Sequence, residues 1–210
     1  MVQDYWQEKL RTEARKLDSL SFFKTSFMSL SRPHPIWSTA RYNPYETNKA
    51  VIQARMLSRR YRSEGLCRFW STNTEGVCLL PACTNPLVKE DIVHILINCE
   101  SLSASRRRLS TIFLNFAASN PRLSPIITKF FYTDDDNYKT QFLLDCSTLP
   151  EVIHLRQLHG FTILHELFHL TRTWCYSLHR DRLKILGRWS PIWLIWGIHC
   201  WISKVCSKKS

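Results

Sequence analysis

The tightest constraint on this chain is a four-residue constellation, Cys78-x4-Cys83-x10-His94-x4-Cys99, which gathers three thiols and an imidazole into one short stretch. Four ligands of this softness are what a structural zinc ion takes, and a full set leaves no coordination position for a substrate. Leu79, Leu80, Pro81 and Ala82 form a short loop able to turn the Cys78 and Cys83 thiolates toward one point. His94 and Cys99 straddle the apolar run Ile95, Leu96 and Ile97, which predicts a short helix leaning on the knot. In so loop-rich a segment, metal binding supplies folding free energy that a small apolar core does not. The competing interpretation is a set of buried free cysteines beside a core histidine, since cysteine is among the most buried residue types. Cys67 is an alternative to Cys78 as first ligand, because the four-residue gap is wider than the usual two.

With 210 residues, 44% of them hydrophobic and 12% aromatic, the chain has material for one or two small domains. Lys and Arg number 29 against 17 Asp and Glu, a formal charge of +12, so the expected partners are phosphate backbones or anionic membrane surfaces. The first residues, MVQDYWQEKLRTEARK, lack the apolar centre of a signal peptide. Eight cysteines are therefore expected as free thiols in an intracellular setting, nuclear or cytoplasmic, available to metal. The apolar run from Ile192 to Ile202 is about half the ~20 residues of a spanning helix and includes His199. It is expected as a core edge or an interfacial contact, with Trp189, Trp193, Trp196 and Trp201 as anchors beside Lys204, Lys208 and Lys209.

Periodicity points to a mainly α fold: one or more small helical domains around the zinc-stabilised knot, with a long C-terminal amphipathic helix. Helices are expected from Asp4 to Leu20, from Asn48 to Glu64 with Gly65 as its stop, and across 103–116 behind the Arg106, Arg107, Arg108 triplet. The longest runs from Glu151 to Leu186 with a break at Gly160. Its core face is Leu164, Leu167, Phe168, Leu170, Thr171, Trp174, Cys175 and Leu178. Pro33, Pro35 and Pro44 predict an extended connector over 29–45, and the Pro, Asn and Asp clusters of 119–150 predict loop with brief turns. The chain thus divides into 1–45, 46–118, 119–150, 151–189 and a Trp-rich tail, 190–210.

The segment HPIWSTARYNPYETNKAVIQARMLSRRYRSEGLCRFWSTNTEGVCLLPAC, followed by EDIVHILINC, resembles the region after the reverse transcriptase domain in jockey-like non-LTR retrotransposon polyproteins of invertebrates. QFLLDCSTLPEVI and LTRTWCYSLHRDRLKILGRW resemble the end of those polyproteins, so the likeness spans about Leu20 to Trp189. It implies a Cys/Cys/His/Cys zinc finger of nucleic-acid-binding type on Cys78, Cys83, His94 and Cys99. It also implies a reverse transcriptase fragment, with the polymerase and endonuclease domains lying upstream and outside this chain. The tail from Ser190 is foreign to the resemblance and is expected to be read-through.

Two motifs suggest catalysis. Tyr132-Thr133-Asp134-Asp135 has the form of a polymerase metal-binding tetrad, but no third carboxylate sits in a strand-like setting upstream, so a solvated loop is expected. His165-Glu166-Leu167-Phe168-His169 matches HExxH, in which two histidines one helical turn apart bind zinc and the glutamate activates water. No third ligand stands in a zincin arrangement. His165, His169, Arg172, Tyr176 and His179 fall on one stripe that reads as a polar outer face.

Positive clusters bracket the knot: Arg55, Arg59, Arg60 and Arg62 before it, Arg106 to Arg108 after it, and Arg172, Arg180, Arg182, Lys184 and Arg188 beyond. Arginine binds phosphate bidentately, and Tyr61, Phe69 and Trp70 are near enough in sequence to stack on unpaired bases. The resulting expectation is a non-enzymatic, zinc-stabilised remnant that binds the backbone of RNA or DNA through Arg55, Arg59, Arg62, Arg106, Arg107 and Arg108, with no small-molecule substrate. The alternatives are a zinc metallohydrolase centred on residues 165–169 and a membrane-surface protein anchored by its tail.

Overall fold

Capping chemistry explains where most of the helices start. The structure, a computed structural model, describes residues 2–17, 20, 22–23, 33–40, 43–61, 63, 76–83 and 88–188. Its helices are α1 (Val2–Arg15), α2 (Pro35–Ser38), α3 (Pro44–Leu57), α4 (Ser103–Ser119), α5 (Ser124–Tyr132), α6 (Asp136–Asp145), α7 (Pro150–His159) and α8 (Thr162–Ile185). The Asn43 side chain accepts hydrogen bonds from the Tyr45 and Glu46 amides, and Pro44 occupies the first helical position of α3, where its missing donor is not needed. Asp135 does the same for α6 through the amides of Asn137 and Tyr138. Pro125 and Pro150 open α5 and α7. Gly160, at φ 76°, adopts a backbone that disfavours other residues and separates α7 from α8.

Residues 119–150 are chiefly helical rather than loop, because Pro125, Asp135 and Pro150 act as helix starts, while Asn120 and Pro121 do mark a turn. Within 29–45, residues 35–38 form a helical turn: Pro35 is at its first position and His34 Nδ1 accepts from the Ile36 amide. Helix α3 also starts earlier than expected and stops at Leu57; Arg59 then takes a positive φ of 50°, so Arg55 is on the helix and Arg59 and Arg60 are beyond its end. Helix α1 stops at Arg15, short of Leu20, and leaves Tyr5 and Trp6 exposed. Gly65 and the tail from Trp189 lie outside the described residues.

Helix α8 is the axis of the fold and packs against α2, α3, α4, α6 and α7. All eight residues of its expected core face are buried. They belong to a continuous apolar cluster that extends from Ile36 to Leu178 and takes in residues of the knot, Ile92, Ile95, Leu96 and Cys99 among them. Phe113, Phe130, Phe142 and Trp174 meet at ring-centroid separations of 4.9 to 6.5 Å and fill the space among α4, α5, α6 and α8.

Part of the polar stripe of α8 turns inward, contrary to expectation: Arg172 is buried and His179 partly so, while His169 stays exposed. Arg172, 1% exposed, donates to Glu46 Oε2 at 3.1 Å, to Thr39 Oγ1 at 2.6 Å and to the Thr39 carbonyl at 3.2 Å, joining α8 to α2 and α3. Gln53 donates to the Leu143 carbonyl at 2.7 Å and to Thr171 Oγ1 at 3.0 Å, which fixes α3 against α6 and α8. One turn beyond, Tyr61 Oη lies 2.9 Å from His179 Nδ1. The guanidinium of Arg182 is 5.9 Å from the Tyr61 ring centroid.

Burial, with the charges of Arg182 and Arg55, lowers the pKa of His179 to about 4. A histidine that is neutral when folded but titrates near 6.5 when unfolded leaves stability intact above pH 6.5 and removes it as pH falls toward 4. The loss attributable to this residue should reach about 3 kcal/mol. Denaturant titrations at pH 7 and pH 4.5 test this: relative to wild type, His179→Gln should be less stable at pH 7 yet lose less of its stability on acidification.

Candidate metal centre

The knot hangs on an irregular frame whose few backbone hydrogen bonds are all used to aim its ligands. Val77 and Lys89 form an antiparallel bridge, the Cys78 amide donates to the Val88 carbonyl, and the Glu90 amide donates to the Gly76 carbonyl. Between the first two ligands, Leu80 to Cys83 closes a turn, with Pro81 at its second position and the Cys83 amide donating to the Leu80 carbonyl at 3.0 Å. The Ala82 amide donates to Ser101 Oγ, tying this turn to the approach to α4.

His94–Asn98 is a π-helical turn, and its wider winding is what the x4 spacing requires. In an α-helix, residues five apart diverge by about 140° around the axis. Here the Cys99 amide donates to the His94 carbonyl, closing the wider turn and bringing both side chains to one side. Ile95 and Leu96 are fully buried beneath it, so the apolar run does lean on the knot. The His94 amide donates to Asp91 Oδ1 at 2.8 Å, which fixes the start of the turn.

Together these elements place one ligand atom each from Cys78, Cys83, His94 and Cys99 within 4.8 Å of one another. Cys83 Sγ is 3.5 Å from His94 Nε2 and 3.5 Å from Cys99 Sγ; Cys78 Sγ is 4.0 Å from Cys99 Sγ. These are free thiols rather than a disulfide. The set could hold a metal ion, and among the described residues it is the one such group of three or more His, Cys, Asp or Glu side chains. Cys67 lies outside the described residues.

Without an ion the four groups restrain one another's ionisation. Burial raises the pKa of Cys78 to about 11 and raises that of Cys99 further, while hydrogen bonds from the Cys78 and Cys99 thiols outweigh burial at Cys83 and lower it. Burial lowers the pKa of His94, which keeps its ring neutral and able to coordinate. A metal must therefore displace thiol protons, so its affinity should rise with pH.

A buried ion pair joins the knot to α8. Glu90, fully buried, accepts from Arg182 Nε at 2.8 Å and Nη2 at 2.7 Å, a bidentate pair. Nothing local in the sequence pairs these residues, which lie on separate elements and far apart along the chain.

No family model, curated protein or solved structure matches this chain. Its chemistry is accordingly read from its own residues. The His165, Glu166 and His169 motif lies on α8, but no third donor joins it among the described residues. Glu166 is 3.9 Å from Arg122, and the exposed His169 has Nδ1 3.5 Å from Glu46 Oε2. Tyr132 is 83% exposed, Asp135 caps α6, and Asp136 Oδ2 accepts from Asn98 Nδ2 at 2.9 Å. No helix among the described residues is long and apolar enough to cross a membrane.

The basic residues separate into an interior and an exterior set. Arg172 and Arg182, expected on a surface, are structural. Tyr61 is buried and joined to His179, so it is withdrawn as a base-stacking group; Phe69, Trp70 and Arg62 lie outside the described residues. Arg55, Arg59, Arg60, Arg107 and Arg108 are exposed, with Arg108 donating to Asp181 at 2.9 Å. Arg106 is half-buried against the knot. Burial lowers its pKa, and the charge of Cys99 and Cys83 opposes that shift.

Cys83 is central to the ligand set, so Cys83→Ser should lower bound metal well below one equivalent and sharply reduce amide protection at 76–83 and 88–99. Cys67→Ser should leave both unchanged. Metal analysis with hydrogen exchange checks the pair of outcomes.

Proposed function

We propose that the ion is zinc and that this chain is a non-enzymatic, zinc-stabilised module that binds the backbone of RNA or DNA. The observation that carries the reading is the convergence of Cys78, Cys83, His94 and Cys99 beside the start of α4, whose residues Arg107 and Arg108 face solvent. A tetrahedral zinc ion bound by three thiolates and one imidazole separates sulfurs by about 3.8 Å and sulfur from nitrogen by about 3.6 Å. The observed 3.5 to 4.0 Å separations fit that geometry. Three thiolates and one divalent ion leave a net negative charge, which favours the charged form of the neighbouring Arg106 without occupying its Nη1.

The formal charge of +12 and the exposed Arg55, Arg59, Arg107 and Arg108 support a phosphate-bearing partner, with Arg62 as a further candidate contact. The resemblance to the region after the reverse transcriptase domain of jockey-like retrotransposon polyproteins supports the same reading. It proposes descent from such an element, without its polymerase and endonuclease.

If four phosphate contacts form, the logarithm of affinity for an oligonucleotide should fall with the logarithm of salt concentration with a slope of about −3. Removing zinc with a chelator should abolish binding, and Arg107→Gln should lower the slope by about one. Affinity that is indifferent to both salt and chelator would overturn the proposal.

A further inference from the structure

Beside the knot, an open cleft of about 270 Å³ lies between the π-helical turn, α4, α5 and α6. Arg106 and Arg107 of α4 and Lys139 of α6 line it, and no carboxylate does. Among the described residues none of these three cations forms an ion pair with an acid. Arg106 Nη1 is buried with no hydrogen-bond partner, a costly arrangement unless a ligand accepts from it. The same cleft exposes an aromatic wall: Phe131 is half-buried, held edge-on against Phe113 and Phe130, so its ring is fixed in orientation. Three cations without a carboxylate partner, one of them with a buried unbonded Nη1, beside an oriented ring form a site for an anion joined to a planar group.

We propose that this cleft takes one unpaired nucleotide, with its phosphate on Arg106, Arg107 and Lys139 and its base against Phe131. The inference deepens the nucleic-acid reading and rests on it for the choice of ligand, while the cleft stands on its own geometry. Its volume, near the lower end of the roughly 300–1,000 Å³ typical of ligand sites, admits one nucleotide rather than a duplex. Duplex is excluded further because a paired base cannot offer its face to a ring. The exposed arginines away from the cleft would track the strand backbone, and the cleft would select for strands with an unpaired position.

The test titrates thymidine monophosphate, thymidine and inorganic phosphate separately into the full zinc-loaded chain, followed by amide spectra. The mononucleotide should shift Ile97, Ser103 to Ser110, Phe131 and Lys139, and should bind about tenfold more tightly than either thymidine or phosphate. Lys139→Gln should weaken it about tenfold with the remaining spectrum unchanged. Phe131→Leu should weaken the mononucleotide but not inorganic phosphate. Shifts elsewhere, phosphate binding as tightly as the nucleotide, or a folded Lys139→Gln variant of unchanged affinity would each overturn the inference. Occupancy of the cleft by mononucleotide with no binding of longer RNA or DNA would sink the wider reading and leave the cleft standing. Strand binding with a silent cleft would do the reverse.

Discussion

Three thiols and an imidazole held within 4.8 Å of one another, all but Cys83 buried, make a poor resting arrangement for a protein with no ion to bind. Apolar side chains would fill that space more favourably, and neighbouring thiolates repel one another. Burial resists ionisation at Cys78 and Cys99, and hydrogen bonds from those two thiols lower the pKa of Cys83. A divalent cation resolves both difficulties, since it accepts every thiolate and replaces lost hydration with coordination. Among the described residues, the regular backbone structure of the frame around it amounts to one β-bridge and a π-helical turn.

The knot is nonetheless part of the helical body. Leu96 and Cys99 lie in the same apolar cluster as Leu167 and Trp174, and Glu90 grips Arg182 of α8. A buried pair of this kind adds little net stability but strongly penalises any arrangement that leaves one partner alone, so it specifies how the knot docks. Arg172 plays the corresponding part near the middle of α8 through Glu46 and Thr39. The positive charge available to a partner is therefore less than the arginine count suggests, and it is displaced toward α4 and the end of α3.

The ligand tetrad and the core face of α8 could be read from the sequence because spacing and period carry them locally. Residues 119–150 misled because Pro125, Asp135 and Pro150 are turn-forming residue types that here open helices; only the apolar residues after each distinguish the two uses. The burial of Arg172 and Arg182 on α8 could not be read at all. Their partners, Glu46 and Glu90, are 126 and 92 residues away in sequence, and a helical wheel registers one apolar face without showing that neighbours also cover residues beyond it. The His94-x4-Cys99 spacing held a usable sign, since five residues suit a π-helical turn and not an α-helical one.

The account stands or falls on what the tetrad binds. X-ray absorption at the zinc edge of the zinc-loaded chain measures that directly. The predicted first shell is three sulfurs at about 2.3 Å and one nitrogen at about 2.0 Å, with one ion per chain. A shell dominated by oxygen and nitrogen, or zinc well below one equivalent in folded protein, would contradict it.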